Sequence, residues 1–228
     1  MKRPIGKIIF LLFLLLLPLT SWGQKRIYTK SYRMQDFKSK TTRVVLPGPP
    51  EFDQALRESI TSLWTISPYE FCTKAQFEKQ KSNPDLCFLY TETNRGIVYL
   101  TLAKGGKTND TNPLKRPLEI ISVPIAGERD SSGQELLYMP VFISIVQDYT
   151  DAAMESETAA YSGIGVITHG IPHGITIYTD PAEAAEAFRN RRPASAVRII
   201  ITPDGNPASK PRHKMTFSTA DYRLFAYR

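Results

Sequence analysis

The sequence predicts an α/β fold, with α+β as the alternative, built on a mixed β-sheet with helices packed against it. Three observations carry that prediction. Short apolar or β-branched runs alternate with stripes of helical period up to residue 156. Two of the helical stretches separate three short strands, which implies parallel crossovers. A closely spaced strand pair around a turn then adds an antiparallel flank. The predicted order is β-α-β-α-β-β-β-α, followed by a β-rich C-terminal extension.

Arg43-Val44-Val45-Leu46 reads as the first strand, stopped by Pro47-Gly48-Pro49-Pro50. Phe52, Leu56, Ile60, Leu63 and Trp64 then form one apolar stripe at the 3.6-residue period. Pro50 and Glu51 suit a helical first turn, where a missing N–H costs nothing and an acidic side chain meets the positive dipole end. Trp64 is expected to pack against the sheet. Ser67-Pro68 ends this helix, and Tyr69 to Cys72 is the second strand. Thr73 is an expected N-cap for a helix over 74–81, with Phe77 as its apolar contact. Leu86 to Tyr90 and Ile97 to Leu102 form a hairpin about Asn94-Arg95-Gly96. A polar connection from Lys104 to Arg116 leads to a strand at Leu118 to Val123. A second loop, Gly127 to Gln134, precedes a helix whose face carries Phe142, Ile145, Val146, Tyr149 and Ala153, with Pro140 in its first turn.

The C-terminal extension is read as richer in strands. Gly163, Gly165, Gly170 and Gly174 punctuate an apolar run, which predicts at least one short strand with bends. Ile175 to Tyr178 is a strand, and Asp180 caps a small helix starting at Pro181 and running to about Asn190. Val197 to Ile201 is a buried strand, and Met215 to Tyr227 is expected to form one long terminal strand.

The first 23 residues carry an address. Lys2, Arg3 and Lys7 precede an unbroken apolar run from Ile8 to Leu17, then Pro18 and the exit Ser21-Trp22-Gly23. That layout is the one a cleaved secretory signal peptide uses. The run falls short of the ~20 apolar residues a membrane anchor needs. No cysteine follows the cleavage point, so a lipoprotein is not expected, nor is a transmembrane helix in the mature chain. The domain organisation predicted is a signal peptide at 1–23, a basic arm at 24–40, an α/β domain at 41–156, and the extension at 157–228 packed on it. The expected location is the periplasm or beyond the cell.

The net charge of +7 belongs partly to the leader, whose three positive charges leave the mature chain at +4. Segment 24–40 carries six basic residues against Asp36, and 181–228 carries nine against four acidic residues. The body between these ends is therefore acidic. Basic ends point to anionic partners such as a phospholipid or lipopolysaccharide surface. Nucleic acid is not expected, because the leader takes the chain away from it. The hydrophobic content of 42% and aromatic content of 11% are those of a folded protein.

Chemical motifs are sparse. Cys72 and Cys87 could oxidise in an exported protein, but in parallel strands an offset of three residues, roughly 10 Å, favours two buried thiols over a disulfide. His169 and His173 have an H-x3-H spacing, which on a helix would place both on one face for a metal. Gly170 and Pro172 lie within that segment, so an ordinary turn is expected in place of a metal site. Gly163-Ile164-Gly165 lacks the third glycine of a dinucleotide loop, Thr168 standing there. No cofactor and no catalytic residue is assigned.

Over residues 43–154 the chain resembles the small α/β module of the TolB amino-terminal domain and the curli-secretion lipoproteins. The resemblance rests on Val44-Val45-Leu46-Pro47, the helix at 51–64, the strand at 69–72 and the hairpin at 86–102. It implies an assembly or scaffolding role in the cell envelope. This chain departs from that pattern in lacking a lipidation cysteine, and its last seventy residues have no counterpart there. The expected function is a non-catalytic envelope module that binds or helps assemble a protein partner. Two other readings are a periplasmic hydrolase with a site in the glycine-rich segment 162–176, and a secreted surface or adhesion protein.

Overall fold

The computed structural model describes residues 34–106 and 118–228, apart from 204, 207 and 211. The leader, the arm before Met34 and most of the Lys104–Arg116 connection lie outside the described residues. The fold is α/β, with two mixed sheets. The first has the strand order β2-β1-β3-β4-β5, with β1 at Thr41–Leu46, β2 at Tyr69–Thr73, β3 at Leu86–Asn94, β4 at Ile97–Lys104 and β5 at Leu118–Gly127. Strand β1 pairs in parallel with β2 and β3, while β4 runs antiparallel to its neighbours β3 and β5.

Helices α1, Pro50–Leu63, and α2, Lys74–Gln80, make the two crossovers. The chain steps one way from β1 to β2 and back the other way to β3. Crossovers of one hand in opposite directions place their helices on opposite faces of the sheet. The side chains divide accordingly. Val44, Cys87 and Leu89 join Leu56 and Ile60 of α1 in the main core. Val45, Cys72 and Phe88 form a smaller cluster with Phe77 of α2. The two cysteines are thus free, buried and on opposite faces. Cys72 is level with Val45 and Cys87 with Thr42, and β1 stands between their strands. No Cys72–Cys87 bond spans that geometry.

Trp64 is buried just past α1, and its indole N–H donates to Ser67 Oγ at 3.1 Å, itself 2.8 Å from Thr42 Oγ1. It is a core residue with a satisfied polar edge. The last residues of the predicted arm also belong to the folded body. Met34 and Phe37 are buried in the main core. Lys38 pairs with Asp151, and Asp36 pairs with both Lys40 and Lys104.

A short helix, α3 (Gln134–Leu137), leads into α4 (Met139–Glu155). The five residues of the predicted α4 stripe are buried, as are Met139, Val141 and Ile143 beyond it. A helix apolar on most sides is one enclosed by structure on most sides. Just before it, Tyr138 packs edge-on against Phe188 and Phe217, with ring centroids 4.9 and 5.2 Å away.

Those two rings belong to the second sheet, ordered β6-β7-β8-β9, and its helix. Here β6 is Thr176–Tyr178, β7 is Ser195–Ile201, β8 is His213–Ser218, β9 is Leu224–Tyr227, and α6, Pro181–Arg189, is the crossover from β6 to its parallel neighbour β7. Asp180 caps α6 by accepting from the N–H groups of Ala182 and Glu183.

Two sequence expectations are corrected in this half. The glycine-punctuated run is not a bent strand: Glu157–Ser162 is a helix, α5, followed by a 3-10 turn at Gly163–Ile167. Ser156 caps α5 through Ala159 N–H, and Gly163, at φ 64, ends it. A six-residue helix is too short to display a 3.6-residue period. The single terminal strand is also two strands, β8 and β9, joined by a turn at 219–223. Ser218 Oγ accepts from the N–H groups of Ala220 and Asp221 and so bends the chain there.

Candidate functional site

Strand β5 lies at the edge of the first sheet and β9 at the edge of the second. A cleft of about 360 Å³ opens between them, roofed by α5 and the start of the 3-10 turn. Glu119, Ile120, Ile121 and Ser122 of β5 line one side. Four consecutive strand residues point alternately to both faces, so the cleft follows the edge of β5 and not one of its faces. Tyr227 of β9 lines the opposite side, and Tyr161, Ser162, Gly163 and Ile164 the roof. Tyr161 is 39% exposed, an unusual position for so large a ring.

The cleft's polar groups are mostly neutral hydroxyls. Tyr149 O–H donates to Ala160 C=O at 2.9 Å and ties α4 to the roof. Burial, and then the nearby Glu119 charge, raise the Tyr149 phenol above its ordinary range. Tyr227 is pushed up to about 12, chiefly by burial and then by Tyr99. Ser122 Oγ lies 2.8 Å from Thr101 Oγ1. Glu119 is exposed at the rim. Phenols and hydroxyls of this kind can donate and accept hydrogen bonds.

Behind Tyr227 stands His213. Its Nδ1 lies 2.9 Å from the Tyr227 hydroxyl and its Nε2 3.4 Å from that of Tyr99, and its ring stacks at 10° on Tyr227. Tyr99 is on β4, so this cluster joins the two sheets. Burial lowers the His213 pKa below its ordinary value.

His169 and His173 lie elsewhere, exposed on the segment that follows the 3-10 turn. His169 N–H and Gly170 N–H donate to Leu224 C=O and Phe225 C=O, so this segment lies along the edge of β9. The Asp148 carboxyl is raised by burial and lowered by the His169 charge. Among the described residues, no histidine side chain hydrogen-bonds a serine, a cysteine or a carboxylate. Among them too, no three His, Cys, Asp or Glu side chains gather as a metal site. Burial also raises both thiols, Cys87 to about 12, which removes the thiolate a cysteine nucleophile needs. No protein-family model, curated protein or solved structure matches this chain.

The residues of the cleft were not singled out by the sequence. Leu118 to Val123 reads correctly as a strand, but whether a strand lies at an edge depends on sheet order. Tyr227 reads as one of three alternating aromatic residues in a strand, and alternation alone does not reveal that it faces a second sheet.

Proposed function

We propose that this protein is a non-catalytic module of the bacterial cell envelope, and that its β5–β9 cleft takes up an extended segment of a protein partner. The observation that carries the reading is the outer edge of β5 along residues 119–122, where Glu119 is exposed and Ile120 and Ile121 are buried beneath it. Its partner on one side is β4, and on the other side lies the cleft. An edge strand offers a row of backbone donors and acceptors to an incoming strand, and flanking pockets select alternate side chains. Ile120, Ile121 and Ile164 offer apolar contact, and the hydroxyls of Tyr161 and Ser162 lie at the roof.

The envelope location rests on the leader at 1–23, read as a cleaved signal peptide without lipid attachment, and on the resemblance of 43–154 to envelope assembly modules. Among the described residues, no helix is long and apolar enough to cross a membrane.

A photo-crosslinking residue at Ser162, in the protein expressed in its exporting cell, tests the reading. The expected result is one adduct that maps to an extended segment of a partner and is absent with the probe at Lys79 on α2. Tyr161→Ala in the same chain should weaken the adduct several-fold. Equal labelling from both probes, or an adduct indifferent to Tyr161→Ala, overturns the proposal.

A further inference from the structure

Away from the cleft, at the end of the second sheet where β7 begins, three non-glycine residues adopt positive φ. Arg191 (φ 45) and Ala194 (φ 50) lie in the α6–β7 connection, and Tyr222 (φ 65) lies in the β8–β9 turn. These are three of the four non-glycine residues with positive φ among the described residues. Each such residue is held in a conformation its Cβ disfavours by roughly 1 kcal/mol or more. Hydrogen bonds fix them in place: Arg191 N–H to Phe188 C=O, Arg192 N–H to Ala187 C=O, and Thr176 N–H to Ala194 C=O, each at 3.1 Å. Thr219 Oγ1 donates to Ser195 C=O at 3.1 Å and also contacts Arg192 C=O.

This backbone splays two consecutive arginines toward opposite neighbours. Arg191 Nη2 donates to the Tyr222 hydroxyl at 2.6 Å, and its guanidinium stands 5.2 Å from that ring's centroid. Arg192 Nη1 donates to the Tyr178 hydroxyl at 2.6 Å, with its guanidinium 5.6 Å from that ring. Both arginines are exposed. The ion pairs among the described residues include neither of them, nor the adjacent exposed Arg189. Of the acidic groups here, Glu186 acts on Arg192 at longer range, and Asp221 pairs with Arg223 at 2.6 Å.

A guanidinium has five N–H donors. Each tyrosine hydroxyl uses one and each ring orients the plane, so most of the donor fork is left facing water. That fork matches the oxygens of a phosphate. Because the two arginines diverge, they do not converge on one small anion. A surface that presents many phosphates fits them better. At the opposite end of the chain, Lys38 and Lys40 are already committed to Asp151 and Asp36.

We propose that Arg189, Arg191 and Arg192 form a phosphate-recognition face through which this protein docks on the headgroups of an anionic lipid surface. The face is separate from the cleft, and either can fail without the other.

Co-sedimentation of the full chain with phosphatidylglycerol–phosphatidylcholine vesicles, against pure phosphatidylcholine, reads the anion-dependent part of binding. Each arginine near a charged surface contributes about fivefold, so R191Q/R192Q should lose about thirtyfold and Arg189→Gln about fivefold. The joint variant Y178F/Y222F retains the charge but loses the hydroxyl anchors, and should weaken binding by a smaller factor. Arg189 has no ion pair among the described residues, so its variant keeps the test open should R191Q/R192Q misfold. Binding should also fall as salt rises. Equal binding to both vesicle types overturns the proposal, as does an unchanged affinity in Arg189→Gln and R191Q/R192Q. Saturation by millimolar inorganic phosphate without vesicle binding would assign the face to a free anion and overturn the lipid assignment.

Discussion

At His213 a single imidazole joins the two sheets through Tyr99 and Tyr227. A neutral imidazole has one donor and one acceptor nitrogen, and a phenol can serve either. The imidazolium has two donors and loses the water that would solvate its charge. Burial raises Tyr99 of this cluster, and Arg95 and Glu119 act on it in opposite directions. Burial accordingly depresses the His213 pKa below 6.5. The unfolded chain then binds more protons than the folded one as pH falls below that value, and stability must fall with it. Asp148 and Glu135, whose carboxyls burial raises, act in the opposite sense at more acid pH. A comparison of variants therefore isolates the histidine. The urea midpoint of the wild type should drop more steeply from pH 7 to pH 5 than that of His213→Gln. Parallel slopes for the two proteins would remove His213 as the cause.

At the scale of elements, capping chemistry decides where helices begin. Asp180 satisfies two N–H groups of α6, and the helix has only nine residues in which to offset their loss. Asp180→Ala should cost about 1 kcal/mol, seen as a fall of a few degrees in Tm by calorimetry, with the far-UV spectrum nearly unchanged. No change in Tm would show that the cap is replaced by water at no cost. Such caps are legible in sequence because the interaction is local: Thr73, Asp180 and the proline-led starts of α1 and α6 all stand where local chemistry puts them. The α1 and α4 stripes are legible for the same reason. What escaped were elements shaped by context. Helix α5 is too short for periodicity and depends on Ser156 and on Tyr149, which reaches it from α4. The reading of Met215 to Tyr227 as one strand misses the β8–β9 turn, which Ser218 Oγ makes by accepting from the N–H groups of Ala220 and Asp221. The basic excess of 181–228 is legible as charge, but the cleft and the seating of those arginines on tyrosines are not. Tyr178, Arg191 and Tyr222 are far apart in sequence, and only the β6-β7-β8-β9 order brings their segments together.

At the scale of the molecule, two sheets share one core. The main cluster runs from Met34 and Phe37 through α1, β3, β4, β5 and α4 to Val197, Ile199, Met215, Phe217 and Leu224 of the second sheet. The sheets also meet at Gly127, where an added Cβ would stand 2.1 Å from Thr202 C=O, so only glycine permits that approach. Because side chains of both sheets belong to this one cluster, neither sheet can expose its inner face without stripping the other. Unfolding should therefore be one cooperative step. Trp64, the only tryptophan among the described residues, reports on the first sheet's side of the core. Far-UV circular dichroism reports on both sheets. In guanidinium titration the two signals should give coincident midpoints, and Gly127→Ala, which forces the junction apart, should lower both midpoints together, a stability loss of about 1–3 kcal/mol. Separate midpoints, with the tryptophan signal surviving a first transition, would mean that the second sheet folds as an independent unit. In that event the β5–β9 cleft would open whenever that unit melted. Coincident midpoints would instead make the cleft as permanent as the core beneath it.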